Sequence, residues 1–448
     1  MGTLRERYAQ LLAEQNKTKT SLWKSSPPTE GSNLSSVITD LILTDAIQSR
    51  ASDIHIEPIK NYLRIRFRID GKLYDVLDIQ NAPEITIIAR LKVLSSLPTD
   101  AMSSKKSMDG RFSFKSNSKE FDFRVATFPT LLGEKIAIRI LNKDVTIIDL
   151  KKIGLDPGDL ARIEQSIQRK SGLFIVSGPT GSGKTSTLYA ILNQLHTPHV
   201  NIVTLEDPVE YQIDGINQCD IKKRGDDSFA SGLKSILRQD PDVILIGEIR
   251  DSETADIAIR ASITGHLVMT SLHANSAIGT VIRLINMGLE RYMVSYAVIG
   301  AVAQRLVPRL CPKCRVPYTV SLETLNRIYH RLGLNPEPIK TESHPAPSTT
   351  GIQLQSDSDQ PTNEFIFYKK AGCEYCNDTG YLGRLAVFEV VNFNEKLRDA
   401  IMRNASILEL ESIARQIGCH SLASDAINKV KAGLITFDDI YPILLEKN

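Results

Sequence analysis

The chain has 448 residues, 42% of them hydrophobic, enough to fill two or three ordinary cores, so several globular domains are expected. Its 54 basic and 52 acidic residues leave a net charge of +2, which argues against a global pull toward nucleic acid or anionic lipid. Apolar runs such as Leu173–Val176 and Val243–Ile246 are far short of the roughly 20 residues that cross a bilayer, and six cysteines are too few for a disulfide scaffold.

Met1–Lys24 is charged, carries Trp23 and lacks the apolar core and cleavage site of a signal peptide, so no export is expected and the chain is read as cytoplasmic. Leu4–Glu14 reads as a short amphipathic helix. The Ser-, Thr-, Lys- and Pro-rich residues 16–33 read as a solvated tail, so that 1–34 together form a flexible leader.

A small α+β domain is expected over 35–145. The apolar positions Val37, Leu41, Leu43 and Ala46 predict a helix over 35–49, followed by strands at Asp53–Glu57, Tyr62–Ile69, Arg111–Phe114, Glu120–Thr127 and Lys135–Leu141. Alternation places Arg64, Arg66 and Arg68 on one strand face and Ile65, Phe67 and Ile69 on the other; the arginine face reads either as solvated surface or as a functional cationic row.

From about 146 to the end the chain reads as α/β. Phe174–Ser177, Asn201–Glu206, Val243–Glu248 and His266–Ser271 are short apolar runs separated by helical stretches, the pattern of parallel strands covered on both faces. The stretch at about 335–363 is dense in Pro, Ser, Thr, Asp and Gln and reads as a disordered insertion, and from Phe388 onward helical periodicity returns.

Directly after the first of these strands come Gly178, Pro179, Thr180, Gly181, Ser182, Gly183, Lys184, Thr185 and Ser186, a P-loop in its strand–loop–helix context. Its glycines let backbone amides wrap phosphate oxygens at a helix N-terminus, Lys184 would reach the β and γ phosphates of ATP, and Thr185 would hold Mg²⁺. Val243–Glu248 delivers a carboxylate at a strand's C-terminal end, where ligands of open α/β sheets gather, so Glu248 is the candidate for polarising the attacking water. Glu206 and Asp207 end another strand and offer a second acidic group for Mg²⁺ or water; either carboxylate cluster taken alone also reads as a strand-end cap. His266 and His273 bracket the last strand and are assigned as γ-phosphate sensors.

Cys311, Cys314, Cys373 and Cys376 form two CxxC pairs, the ligand set of a closed structural Zn²⁺ site, within a module over 309–385. Redox chemistry is the rival reading of a CxxC, but Gly372 and Gly380 suit knuckle turns. Cys219 and Cys419 stand apart and are expected to be packed.

With these motifs in this order, the chain resembles the type II secretion and type IV pilus assembly ATPases of the secretion ATPase superfamily. The resemblance runs from about Ser35 to the end. It rests on the Walker A loop (Gly178–Thr185), the aspartate box (Thr204–Tyr211), the Walker B strand ending in Leu245–Asp251 and the histidine box (Thr264–Asn275). Upstream, Ala51–Pro58, Asp109–Arg111, Phe123–Thr127 and Ala137–Arg139 match the family's PAS-like domain. The resemblance implies a PAS-like domain and a RecA-like motor domain joined near 142–155, with Arg124 and Arg139 as arginine fingers and Arg111 assisting. It further implies a hexameric ring, docking on inner-membrane platform proteins, and no direct nucleic-acid partner. Assembly members carry a tetracysteine module that the retraction branch generally lacks. The family usually places a further domain ahead of the PAS-like one, where this chain has only its leader, and the insertion is longer than the family's. A DNA-uptake or pilus-related ATPase, a RecA-like enzyme acting on nucleic acid and a non-hydrolysing nucleotide-binding scaffold are the rival readings.

Overall fold

The computed structural model describes residues 4–21, 31–80, 84–100, 102, 105–116, 119–142, 149–221, 228–331 and 364–445. It divides into two compact units, Met1–Thr146 and Ile147–Asn448. The expected insertion and residues 143–148 of the expected linker lie outside the described residues.

The first unit contains α1 (Leu4–Ser21), α2 (Gly31–Gln48), β1 (Ala51–Ile59), β2 (Tyr62–Ile69), β3 (Lys72–Gln80), α3 (Glu84–Leu94), β4 (Met108–Ser116), β5 (Lys119–Thr130) and β6 (Gly133–Asn142). The strands form one antiparallel sheet in the order β3-β2-β1-β6-β5-β4. Ile54 and Ile56 of β1, Ile65 and Phe67 of β2, and Phe123 and Val125 of β5 point into a core closed by Ile38, Ile42 and Leu43 of α2 and Ile87 and Leu91 of α3. The expected leader is corrected over 4–21; residues 1–3 and 22–30 lie outside the described residues. Its helix runs to Ser21, Leu4 is buried in this core, Arg5 donates to the carbonyl of Val76 (2.9 Å), and Arg7 pairs with Asp45 (2.9 Å), so the segment starts as a docked helix.

The opposite sheet face carries charge in ordered rows. Glu57 accepts from Arg64 (3.1 Å), Arg66 (2.8 Å) and Lys135 (2.8 Å); burial pushes its carboxyl up, but Arg66 and Lys135 outweigh that and hold it at about 2. Asp53 pairs with Arg139 (3.2 Å) and Arg68 (3.6 Å). The arginine face of β2 is therefore an ion-pair network rather than a bare solvated surface.

The second unit opens with α4 (Pro157–Ile167), β7 (Gly172–Ser177), α5 (Lys184–Leu195), β8 (Ile202–Glu206), β9 (Asn217–Asp220), α6 (Phe229–Ile236), β10 (Val243–Ile246), α7 (Ser252–Ile263) and β11 (Leu267–Leu272). It continues with α8 (Ala277–Asn286), α9 (Arg291–Ala297), β12 (Val298–Leu310), β13 (Val316–Ser321), α10 (Leu322–Arg331), β14 (Glu364–Lys369) and β15 (Tyr381–Asn392). It closes with α11 (Glu395–Met402), α12 (Ile407–Gln416), α13 (Leu422–Lys431) and α14 (Phe437–Leu445). Seven strands form a sheet in the order β15-β12-β7-β11-β10-β8-β9, parallel throughout except for β15, which runs against β12. Apolar side chains pack on both faces, with Leu173, Ile175, Ile244 and Val268 in one layer and Phe174, Val176, Leu245 and Met269 in the other. The helical reading from Phe388 is corrected: the chain stays extended to Asn392, and helices resume at Glu395. Two-sided burial erased the strand's alternation, since every residue from Ala386 to Val391 is buried.

Candidate functional site

Four adjacent parallel strands, β8, β10, β11 and β7, deliver the aspartate box, the Walker B segment, the histidine box and the P-loop to one edge of the sheet. Register fixes their depth: Ile246 lies opposite both Leu205 and Thr270, and Ser177 opposite Leu272. Hydrogen bonds tie the loops beyond the strands, from the amide of Gly247 to the carbonyl of Leu205 (2.8 Å), from that of Ile249 to Ser271 (3.2 Å) and from that of Gly178 to Leu272 (3.4 Å).

The P-loop has the form its composition requires. Gly181 and Gly183 hold φ of +78° and +88°, values that favour glycine, and a Cβ at Gly181 would meet nothing within 4 Å, so the loop lip is open. The Ser182 hydroxyl is buried without a protein partner, and Lys184 Nζ folds onto the carbonyls of Gly178 (2.8 Å) and Pro179 (3.1 Å). An orphaned hydroxyl and an ammonium resting on backbone oxygens are what a phosphate would re-engage. Burial lowers the Lys184 pKa, with Glu248 opposing the shift and Arg305 adding to it. Thr185 and Ser186 open α5, on the helix N-terminus that faces this lip.

Glu248 stands beyond β10 with Arg250 in contact and His273 Nε2 at 3.9 Å. His273 is pushed toward the neutral form by burial first and by Lys184 second. Lys184, Glu248 and His273 thus share one neighbourhood. His266 does not. It precedes β11, its Nδ1 lies 3.1 Å from the carbonyl of Ala261, and its own carbonyl accepts from the amide of Gly172 at the start of β7. Since the P-loop follows β7 and the strands are parallel, six residues of strand, about 20 Å, separate His266 from the phosphate edge. The assignment of His266 as a γ-phosphate sensor is therefore withdrawn.

Glu206 is also not where an attacking water would find it. It is 3% exposed, and its oxygens accept from the hydroxyl of Tyr189 on α5, from Thr204 Oγ1 (2.6 Å) and, at 3.4 Å, from Gln218 Nε2 on β9. Burial raises its pKa, while those three donors oppose the rise. The carboxylate is a hub joining α5, β8 and β9, which corrects its reading as a group acting directly on water or Mg²⁺; no single-segment pattern could have shown partners from three elements. Asp207 follows it beside the Walker B loop, close enough to influence Arg250.

In the first unit Arg111, Arg124 and Arg139 lie directly opposite one another on β4, β5 and β6, forming one row across the sheet, with Arg139 paired to Asp53.

The four module cysteines are brought together. Their sulfurs all lie within 4.8 Å, at 3.9 Å for Cys311–Cys373, 3.8 Å for Cys314–Cys376 and 3.7 Å for Cys373–Cys376. A tetrahedron of Zn–S bonds of about 2.3 Å has edges of about 3.8 Å, whereas a disulfide needs about 2.05 Å, so the set fits zinc. The amide of Gly380 donates to Cys376 Sγ (3.2 Å), and the amide of Cys311 bonds the carbonyl of Gly380 (2.9 Å), linking the two knuckles. Cys419 is buried and Cys219 half-buried against the core.

A family profile described as type II/IV secretion system protein matches residues 29–441. The chain is 41% identical over 404 residues to the type IV pilus assembly ATPase PilB of Myxococcus xanthus, covering 90% of this chain and 66% of that protein. It is 39% identical over 412 residues to the type II secretion system protein E of Dickeya dadantii, covering 92% and 76%. The crystal structure of the pilus retraction motor PilT with bound ADP superposes with a TM-score of 0.59 at 26% identity, covering 90% of this chain and 96% of that one. No helix among the described residues is long and apolar enough to cross a membrane.

Proposed function

This chain belongs to the family of type II/IV secretion system proteins, and we propose that it is an ATPase whose hydrolysis powers assembly of a type II secretion pseudopilus or a type IV pilus. The observation that carries the reading is the convergence of four motif-bearing strands on one sheet edge, where Lys184, Glu248 and His273 meet. The P-loop amides and Lys184 bind the phosphates of ATP, with Gly178–Ser186 as the cradle and Asp207 at its flank. Thr185 would hold Mg²⁺, which neutralises phosphate charge when bound. Glu248 accepts a proton from water aligned on the γ-phosphate, and His273 reports on that phosphate.

Turnover also needs charge stabilisation on the transferring phosphoryl group. We assign it to Arg124 and Arg139, with the first unit read as a PAS-like domain. The row formed by these arginines supports a joint role. Zn²⁺ on the four cysteines would hold the module as a structural clip and, with the similarity to an assembly ATPase, favours assembly over retraction. The working form is a homo-oligomer, a hexameric ring in the cytoplasm docked on inner-membrane platform proteins, without direct nucleic-acid contact.

The test is ATP hydrolysis across a protein concentration series, with size measured in parallel and Arg124→Ala alongside. Activity that rises as a ring forms and collapses in the variant supports the motor. A protein that binds ATP in every assembly state but never turns it over is a scaffold, and salt-sensitive binding to DNA would revive the nucleic-acid reading.

A further inference from the structure

The phosphate edge is built by motifs on four strands, yet a fifth strand touches it. β12 lies beside β7 on the side away from β11. Its Gln304 is 2% exposed in a strand otherwise dominated by Val, Ala and Leu. Gln304 Oε1 accepts from Thr187 Oγ1 at 2.7 Å, one turn into α5, and the amide of Thr187 in turn bonds the carbonyl of Gly183 (3.1 Å). Its Nε2 lies 2.8 Å from where a Cβ on Gly183 would stand, and its main-chain oxygen 2.4 Å from where one on Gly178 would stand. One residue therefore abuts the first glycine of the loop, the last, and the first turn of the helix that follows.

The next residue extends the contact. Arg305 is also buried and donates to the carbonyl of Gln304 (3.1 Å) and to that of Asn275 at the end of the histidine box (3.4 Å). A buried amide has to be hydrogen-bonded to be tolerated, and the packing of β12 could be met by an aliphatic side chain. Gln304's amide is instead directed at the P-loop helix.

We propose that Gln304 is a positioning residue for the phosphate loop: by bonding Thr187 and backing Gly178 and Gly183, it holds the loop amides in their phosphate-binding arrangement before nucleotide arrives. The proposal rests on the ATPase reading and deepens it. A loop held in advance spends less binding energy on ordering, so loss of the clamp weakens nucleotide binding in ground and transition states alike.

The experiment measures binding of a fluorescent ATP analogue and steady-state hydrolysis by the full chain, its Gln304→Leu and Thr187→Val variants and the double variant. Each single change should weaken binding and raise KM by about tenfold, with kcat altered less than about threefold, because a buried polar group loses its partner. The double variant should be no weaker than the poorer single one, since both remove the same bond. A residue that only packed β12 would lower the melting temperature of the Gln304→Leu protein and leave KM at the wild-type value, and that result overturns the proposal. If Gln304→Leu does not fold, Thr187→Val reads the same bond with the side-chain shape kept, and wild-type affinity there overturns it equally. Failure of the wild-type chain to bind the analogue would instead remove the ATPase reading, and this proposal with it.

Discussion

Removing the hydroxyl of Tyr189 tests whether Glu206 is a buried hub. Tyr189 is fully buried, its hydroxyl donates to Glu206, and its ring packs edge-on against Tyr211 at 4.6 Å, so Tyr189→Phe deletes the donor and keeps the packing. A hydrogen bond to a charged group contributes about 1.5–3 kcal/mol, and a neutral one about 0.5–1.5. Glu206 already sits above its ordinary pKa because of burial, and Tyr189 is one of the donors restraining that rise, so the variant raises it further. An acid with a raised folded-state pKa contributes stability at low pH that is lost as pH climbs through that pKa. The deficit of the variant should therefore be greater at pH 8 than at pH 5. For a unit of about 300 residues, about 2 kcal/mol corresponds to a melting shift of about 3 °C. Thermal unfolding followed by circular dichroism at the two pH values reads this directly. A melting temperature equal to wild type at both would refute the hub, as would a Glu206→Gln variant that lost turnover as fully as Glu248→Gln.

Glu248→Gln should bind ATP with near wild-type affinity while phosphate release falls by about 10²–10⁴, because only proton acceptance from water is lost; normal turnover removes Glu248 from its role. Purified chain should carry one zinc ion by elemental analysis and Cys376→Ser should carry none, since the sulfur that receives the Gly380 amide is gone; metal-free wild-type protein with four titratable thiols would contradict the site. Asp159, which accepts from Arg162 at 2.9 Å, has its pKa pushed up to about 6 by burial first and by Asp156 second, so its ionised form weakens the fold above that pH. Asp159→Asn keeps an oxygen for Arg162 and should stabilise the fold at pH 8 by about 1–3 kcal/mol, read as a higher melting temperature, and change it little at pH 4; equal effects at both pH values would show that the charge is not the cause.

Where a signal was local, it was readable. β2 runs over the expected Tyr62–Ile69, because alternating Arg and apolar residues specify both the strand and its faces. The P-loop announced itself through glycines following an apolar run. What was missed depends on partners far along the chain. β12 pairs with β7 on one side and β15 on the other, so Gln304 and Arg305 are buried by strands more than 70 residues away on either side, and their polarity hid the strand. Glu206 reads from the sequence as a strand-end acid for Mg²⁺ or water because Tyr189 and Gln218 cannot be placed beside it without the sheet order. His266 is different, since its error was avoidable. Once the strands are taken as parallel, a residue that precedes its strand lies at the edge opposite a loop that follows its own.

The same polarity argument connects the two chemical centres of the second unit. β12 runs parallel to β7, so its C-terminal half extends past the phosphate edge: Gln304 lies at the loop, and the strand continues to Leu310 before entering the first cysteine knuckle at Cys311. β15 returns alongside from the second knuckle, with Tyr381 opposite Leu310 and Phe388 opposite Gln304. The two strands leaving the cysteine cluster are thus the two that pack in sequence behind the P-loop strand. A metal ion held by Cys311, Cys314, Cys373 and Cys376 would join the far ends of that pair. On this arrangement the tetracysteine module is continuous with the two strands that pack in order beside the P-loop strand.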